Sequence, residues 1–131
     1  MAAQRPPITC HVLDTTTGRP ASSIAVTLTL LKPYGPSTPL TATTNSDGRV
    51  TAWQHQGGGV QLQEIFDNAA EHAGEHAQMV WALKFDTAAY YGEGNTFWPE
   101  VELRFFVKPG EDHYHVPLLL GPWSYTTYRG S

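Results

Sequence analysis

Apolar and polar residues alternate with a period of two through most of the chain, which is the pattern of half-buried β-strands. The clearest case is Ile24–Lys32, where aliphatic side chains occupy every second position. Turn-forming residues separate the alternating stretches at regular intervals. The pattern predicts seven or eight short strands, at Ile8–Asp14, Ile24–Lys32, Leu40–Thr44, Val50–Trp53, Gln78–Thr87, Glu100–Lys108, Tyr114–Leu120 and Trp123–Tyr128.

One segment, Gln61–Ala73, has a helical period instead. Its apolar residues, including Leu62, Ile65 and Phe66, fall on one face of a helix, and Gly74 follows as a plausible C-cap. Many short strands with a single helix are typical of an all-β sandwich. We therefore expect one domain spanning residues 1–131, with the helix packed at one edge of the sandwich.

The strand Tyr114–Leu120 carries two unlike faces. Tyr114 and Val116 begin an apolar face, whereas His115 and Pro117 lie on the opposite one. Proline has no N–H to give to a ladder, so strands that contain it are usually at the edge of a sheet. The sequence thus predicts an edge strand, or a strand that ends at an interface.

Composition excludes several classes of protein. The net charge is −4 and no basic run occurs, which argues against nucleic-acid binding, and no apolar run is long enough to span a membrane. The single cysteine, Cys10, excludes an internal disulfide and fits a reducing compartment; we expect it to be a packed core thiol. The first seven residues lack the apolar core of a signal peptide. These features predict a cytoplasmic protein, with the peroxisome as the alternative.

Two polar residues stand at positions that suggest chemistry. His11 lies within the first predicted strand, and Arg49 directly follows a tight turn at Asp47-Gly48. Taken alone, His11 is more readily explained as a structural histidine, and Arg49 as a solvated cation. The alternative for Arg49 is a fixed guanidinium that binds the carbonyl oxygens or the anionic form of a planar heterocycle.

A zinc site is a further possibility, because His11, His113 and His115 could converge. No cysteine or carboxylate motif accompanies them, and His72 and His76 lack the His-Glu-x-x-His pattern. A zinc site therefore has no supporting motif in the sequence. The remaining histidines, which we expect to face water, are His55, His72 and His76.

Four segments carry a family resemblance. They are His11-Val12-Leu13-Asp14, then Gly18-Arg19-Pro20-Ala21, the run Tyr114-His115-Val116-Pro117-Leu118-Leu119-Leu120, and the terminal Tyr128-Arg129-Gly130-Ser131. Together they resemble the transthyretin-related 5-hydroxyisourate hydrolases. Transthyretin itself has Lys in place of His11, has no His in place of His115, and lacks the terminal tetrapeptide. On this resemblance, the chain lies on the enzyme side of its superfamily.

The resemblance implies a transthyretin-like β-sandwich of seven to eight strands with one short helix. It implies a homotetramer, built as a dimer of dimers, with active sites in a channel at the dimer–dimer interface. The implied reaction is hydrolysis of 5-hydroxyisourate to 2-oxo-4-hydroxy-4-carboxy-5-ureidoimidazoline, the step after urate oxidation. The resemblance implies that this hydrolysis needs no metal and no cofactor.

The resemblance also assigns roles to residues. It implies that His11, Arg49, His115 and Ser131 are catalytic and that His11, Arg49, Tyr128 and Arg129 bind the substrate. His113 is left as a structural or supporting residue. A nucleophilic Ser131 is the less favoured version, because nothing like a nucleophile elbow surrounds it.

Two other functions remain open at this point. The first is a carrier that holds a small apolar ligand in its tetramer channel, as transthyretin does. The second, weaker one is a carbohydrate- or partner-binding sandwich domain, which would leave the C-terminal motif without a role. Converging His and Arg side chains would favour the hydrolase, whereas an apolar channel would favour the carrier.

Overall fold

A computed structural model describes residues 6–33, 36–55, 61–72, 78–108 and 113–131. Within these ranges the strands are β1 (Ile8–Asp14), β2 (Arg19–Pro20), β3 (Ala25–Lys32), β4 (Leu40–Thr43), β5 (Arg49–Val50), β6 (Met79–Phe85), β7 (Val101–Val107), β8 (Tyr114–Leu120) and β9 (Tyr125–Thr127). The helices are α1 (Leu62–His72) and α2 (Thr87–Tyr91). The elements therefore form a mostly β structure, as the alternating pattern predicts.

The strands form two sheets that share one apolar core. The first sheet has the order β2-β1-β8-β9, and β5 also pairs with β1. The second sheet is antiparallel throughout, with the order β4-β3-β6-β7. Fully buried side chains come from both sheets, for example Cys10 and Leu118 from the first and Trp81 and Phe85 from the second. This is a β-sandwich in which each sheet buries one face.

Of the two alternatives predicted for the strand Tyr114–Leu120, the edge position is wrong, whereas a position at an interface stays a prediction. This strand, β8, pairs in parallel with β1 along its whole length and in antiparallel with β9 at its C-terminal half. On the β9 side, Leu118 pairs with Thr127, and the next recorded contact is a bridge between His115 and Gly130. Pro117 falls in the interval between these two contacts. A central strand accommodates the proline because its missing N–H coincides with a gap in the ladder.

Most predicted strands are present, but several are shorter. Of the predicted strand Val50–Trp53 only Val50 belongs to a strand, the two-residue β5, and the last run is reduced to Tyr125–Thr127. Arg19–Pro20, which lies outside the predicted strands, forms a two-residue pairing with β1. Strand ends depend on partners that a local pattern does not reveal, which explains these differences.

The helix predicted at Gln61–Ala73 is confirmed as α1, although Ala73 lies outside the described residues. Leu62 and Phe66 are buried, and the Phe66 ring lies 5.9 Å from that of Trp81. The amphipathic face therefore packs on the second sheet. Neither α1 nor α2 has the length and apolar character needed to cross a bilayer.

The prediction of a single helix is wrong, because α2 is a second one. The side chain of Asp86 caps it by accepting a hydrogen bond from Ala89 N at 3.3 Å. Its two tyrosines donate hydrogen bonds to the buried Asp14 carboxylate, Tyr90 at 2.8 Å and Tyr91 at 3.1 Å. These contacts tie α2 to the end of β1.

Candidate active site

The outer face of the first sheet carries the histidines. Because side chains alternate along β1, Cys10 enters the core while Thr9 and His11 lie on the opposite face. The register places Thr9 beside His115 and His11 beside Pro117 on β8. His11 and His115 are therefore diagonal neighbours on adjacent strands, with Cα atoms roughly 8 Å apart from ordinary strand spacing and rise.

A tight turn brings Arg49 to the same face. Gly48 has φ of 73°, and its carbonyl accepts a hydrogen bond from Val12 N at 2.7 Å. The Asn45 side chain closes the turn by accepting from Arg49 N at 3.0 Å. In the resulting register, Arg49 on β5 lies directly opposite His11. The turn sequence thus delivers a guanidinium to the strand position beside an imidazole.

The charge of Arg49 affects His11. Partial burial lowers the pKa of His11 below its ordinary value, and the nearby Arg49 guanidinium lowers it further. The backbone and carboxylate of Asp47 act in the opposite direction without cancelling the effect. Both effects favour the neutral imidazole of His11, which is the form able to accept a proton.

His115 is held by a buried hydroxyl. Its Nδ1 lies 2.8 Å from Thr9 Oγ1, and the same oxygen lies 3.2 Å from Nε2 of His113. Nδ1 of His113 lies 2.9 Å from the carbonyl oxygen of Pro6. His113 is therefore linked to His115 through the Thr9 hydroxyl.

The terminal segment returns to His115. Gly130 N donates a hydrogen bond to His115 O at 2.8 Å, and Ser131, the last residue, follows directly and is exposed. Tyr128 is 57% exposed. The guanidinium of Arg129 lies over the Tyr114 ring, 4.6 Å from the centroid. Arg129 thus anchors the tail by a cation–π contact, while Gly130 and Ser131 border His115.

Gly130 fits closely against the imidazole. A Cβ atom added at this position would lie 2.7 Å from Cδ2 of His115 and 3.0 Å from Cγ of Pro117. Real Cβ atoms do not approach other atoms so closely, so only glycine allows the tail to rest on the ring. This explains the glycine of the terminal motif in steric terms.

Metal and thiol chemistry receive no structural support at this face. Among the described residues, no group of three His, Cys, Asp or Glu side chains is arranged to hold a metal ion. Cys10 is fully buried, as predicted, and burial raises its pKa to about 12, which keeps the thiol protonated and inert.

The remaining histidines are His55, His72 and His76, of which only His55 has a described side chain. His55 does not simply face water as expected, because its Nδ1 is buried and has no hydrogen-bond partner within the described ranges. The side chain of His72 and all of His76 lie outside the described residues. No prediction about these two is tested.

The arrangement supplies groups for proton transfer and for charge stabilisation. Two imidazoles can accept and return protons, and the guanidinium beside one of them can stabilise negative charge on an oxygen. The sequence singled out His11, Arg49 and His115, and the structure places them on one face. Thr9 was missed, although its position two residues before His11 already put it on the same side of β1.

Comparisons with known proteins agree with this description. Residues 8–130 match the HIUase/Transthyretin family. The 5-hydroxyisourate hydrolase of Mus musculus is 38% identical over 135 residues, covering 100% of both chains. A probable 5-hydroxyisourate hydrolase of Schizosaccharomyces pombe is 37% identical over 133 residues, covering 98% of this chain and 94% of the relative.

A solved structure supports the fold independently. Transthyretin from Sparus aurata matches with a TM-score of 0.71 at 27% identity, covering 96% of this chain and 97% of that chain. The prediction of a transthyretin-like sandwich is therefore confirmed. With 123 of its residues matched by the family description and relatives aligned over its full length, this chain belongs to the HIUase/Transthyretin family.

Proposed function

We propose that this protein hydrolyses 5-hydroxyisourate to 2-oxo-4-hydroxy-4-carboxy-5-ureidoimidazoline in urate degradation. The observation that carries the proposal is the shared face of His11, Arg49 and His115, with the first two directly opposed across a strand pair. Its relatives from a mouse and a fission yeast carry the name of this hydrolase. An apolar carrier would have no use for two imidazoles and a guanidinium on one surface.

The chemistry follows from the groups present. A water molecule, losing a proton to a neutral imidazole, forms a C–O bond at an amide-like carbonyl of the six-membered ring. Arg49 stabilises the negative charge that develops on the carbonyl oxygen. The ring C–N bond then breaks, the nitrogen takes up a proton from an imidazolium, and a carboxylate and a ureido group result. His11 and His115 are the two groups proposed to move these protons.

The terminal residues complete the proposed site. Ser131 would contribute its hydroxyl beside His115, and the exposed Tyr128 ring would line the substrate position. Arg129, sequence-predicted to bind the substrate, supports the site through its contact with Tyr114, which secures the tail. Positioning of this kind contributes by holding the reacting groups in one geometry.

The decisive experiment is a direct assay. 5-Hydroxyisourate is generated with urate oxidase, and its ultraviolet absorbance is followed with and without this protein at micromolar concentration. We expect clear acceleration of the decay, and an H11N/H115N double variant serves as the control for adventitious hydrolysis. An unchanged decay rate would refute the hydrolase, and tight binding of an apolar ligand without turnover would favour the carrier.

We further propose that the protein is a homotetramer built as a dimer of dimers. The strands β7 and β9 end their sheets, and large exposed aromatic side chains lie on or near them: Phe97, Phe106 and Trp123. Large exposed apolar side chains at the edge of a sheet favour association with another subunit. Sedimentation should give a tetramer, and Trp123→Asp should shift it to smaller species. A monomeric wild-type protein would refute the proposal.

We also propose a cytoplasmic location, with the peroxisome as the alternative. The chain has a single cysteine and so no internal disulfide, which supports a reducing compartment. Fractionation of the source cells, with immunoblotting against cytosolic and peroxisomal markers, would distinguish the two. Recovery in a secreted or periplasmic fraction would contradict both.

A further inference from the structure

Thr9 occupies a position between two imidazoles. It is only 7% exposed, although it lies on the outer face of its sheet. Its hydroxyl oxygen is within hydrogen-bonding distance of His115 Nδ1 at 2.8 Å and of His113 Nε2 at 3.2 Å. A hydroxyl has one proton to donate, so it can donate to one of these nitrogens while it accepts from the other.

The carbonyl of Pro6 sets the direction of the hydrogen bonds that join His113, Thr9 and His115. A carbonyl oxygen only accepts, so His113 Nδ1, 2.9 Å away, must carry the proton of that hydrogen bond. In a neutral imidazole the other nitrogen, Nε2, is then an acceptor. Thr9 therefore donates its proton to His113, and its oxygen accepts from Nδ1–H of His115. The proton positions are assigned here from the hydrogen-bond network.

The same series of hydrogen bonds determines which nitrogen of His115 is basic. With the proton of the neutral ring on Nδ1, the lone pair resides on Nε2. The ring is also fixed in orientation, because Thr9 borders its Nδ1 side and Gly130 borders its Cδ2 side. These are the two ring atoms bonded to Cγ. The far edge, which contains Nε2, therefore points away from the backbone of β8.

We propose that Thr9 and His113 are positioning residues that hold His115 in its Nδ1–H tautomer and present Nε2 as the proton-accepting nitrogen. The inference deepens the proposed hydrolase function and rests on it only for the catalytic consequence. The tautomer itself is a property of the folded protein. If the hydrogen bonds ran in the opposite direction, the proton of His115 would lie on Nε2, which could then not act as a base.

The first test needs no substrate. Long-range ¹H–¹⁵N correlation spectra at pH 8 distinguish protonated from unprotonated ring nitrogens, and His115→Gln and His113→Gln variants assign the signals. We expect a protonated Nδ1 and an unprotonated Nε2 for His115. The opposite tautomer would overturn the proposal, whether or not the protein hydrolyses 5-hydroxyisourate.

The second test uses matched variants of Thr9. Thr9→Val keeps the shape but removes the hydroxyl; we expect the Nδ1–H signal to diminish and kcat to fall roughly 10- to 100-fold, as when a partner that orients a functional histidine is lost. KM should change little, because Thr9 does not reach the outer surface. Thr9→Ser restores the hydroxyl and should return kcat to within about threefold of wild type.

Thr29→Val on β3 makes the same chemical change in the other sheet and should leave both the tautomer and kcat unchanged. If kcat fell equally in Thr9→Ser and Thr9→Val, the loss would be due to packing and not to the hydroxyl. That result would overturn the positioning role, as would a Thr9→Val variant with wild-type kcat and tautomer.

Discussion

His11 and Arg49 lie directly opposite each other across the pairing of β1 and β5, although 37 residues separate them in the sequence. The pairing brings a positive charge next to an imidazole that is already partly buried. Both influences favour the uncharged ring, and together they lower the pKa of His11. The guanidinium therefore has two roles in the proposed site: it stabilises negative charge on the substrate and keeps its neighbour neutral.

Removing the Arg49 charge should raise the pKa of His11. We expect Arg49→Gln to raise the pKa of His11, because burial remains while the repulsion from the Arg49 guanidinium is removed. The measurement is a histidine titration by NMR. Arg104→Gln on β7, whose side chain pairs with Glu102, removes the same charge elsewhere and serves as the control. A pKa of His11 that is equal in the Arg49 variant and wild type would contradict this account.

Replacing His115 should reduce turnover with the fold intact. We expect His115→Asn to lower kcat roughly 10²- to 10⁴-fold, the range for loss of an acid–base group. Circular dichroism and the melting temperature would monitor folding. His55→Asn removes a half-buried histidine outside the site and should retain wild-type kcat. Unchanged turnover in the His115 variant would remove this residue from the catalytic set.

Adding one methyl group at Gly130 should disturb the site. In Gly130→Ala the new Cβ would meet Cδ2 of His115 and the Pro117 ring, so the tail must move away from the imidazole. We expect a loss of roughly 10-fold or more in kcat, because small displacements of positioned groups are costly. Stability should fall by about 1–3 kcal/mol, as for other overpacked sites.

A double-variant cycle checks the cause of that loss. In a His115→Ala background, the closest contact of the new methyl group is absent, so Gly130→Ala should lower the melting temperature less than it does in wild type. Equal effects in the two backgrounds would mean that the glycine is needed for a reason other than the imidazole.

The tyrosines that bond Asp14 should make stability fall at alkaline pH. Burial, together with the Asp14 carboxylate, raises the pKa of Tyr90 to about 12 and raises that of Tyr91 as well. The folded state thus holds its phenolic protons more tightly than the unfolded chain. The stabilisation is complete below the unfolded value of 10 and is lost as pH rises toward the folded value.

Urea denaturation at pH 9 and pH 11 measures this loss. We expect Tyr90→Phe to be less stable than wild type at pH 9 and to show a smaller further decline at pH 11. Tyr128→Phe leaves the Asp14 cluster intact and is the control. A decline in Tyr90→Phe as steep as that of wild type would contradict the proposed linkage.

At acidic pH the Asp14 carboxylate also links stability to pH, but here the stability is lost as pH falls. Burial by itself raises the pKa of Asp14, but hydrogen bonds from Thr16, Tyr90 and Tyr91 outweigh it and leave the pKa below its ordinary value. The resulting stabilisation is complete above the unfolded value of 3.8 and disappears as pH falls below it. We expect Asp14→Asn to abolish this acid dependence, measured as the urea midpoint at pH 5 and pH 3.

The second helix shows where local pattern reading fails. Five residues, Thr87–Tyr91, contain no amphipathic period long enough to recognise, and short helices are marginal on their own. What stabilises α2 is a cap from Asp86 and the hydrogen bonds from its tyrosines to Asp14, which lies over seventy residues away. A hydrogen-bond partner that is so far away in the sequence leaves no pattern in the residues of the helix itself.

Pro117 shows a different kind of failure. The rule that proline favours an edge strand is sound, because the missing N–H leaves one ladder position unfilled. In β8 that position coincides with the interval between β9 and the bridge to Gly130. Whether a neighbouring strand has such an interval depends on where a later segment turns, so the strand could be recognised from sequence but not its place in the sheet.

The sequence by itself determined the period-two pattern, the main strands, the face of each strand on which His11 and His115 lie, and the turn before Arg49. These follow from side-chain alternation and backbone preferences, which act over a few residues. Only the tertiary structure decided that Arg49 opposes His11, that Thr9 joins His113 to His115, and that Arg129 turns to Tyr114 while Gly130 rests on the imidazole. Those relationships depend on strand register and on the path of the terminal segment, which are set by packing between residues far apart in the chain.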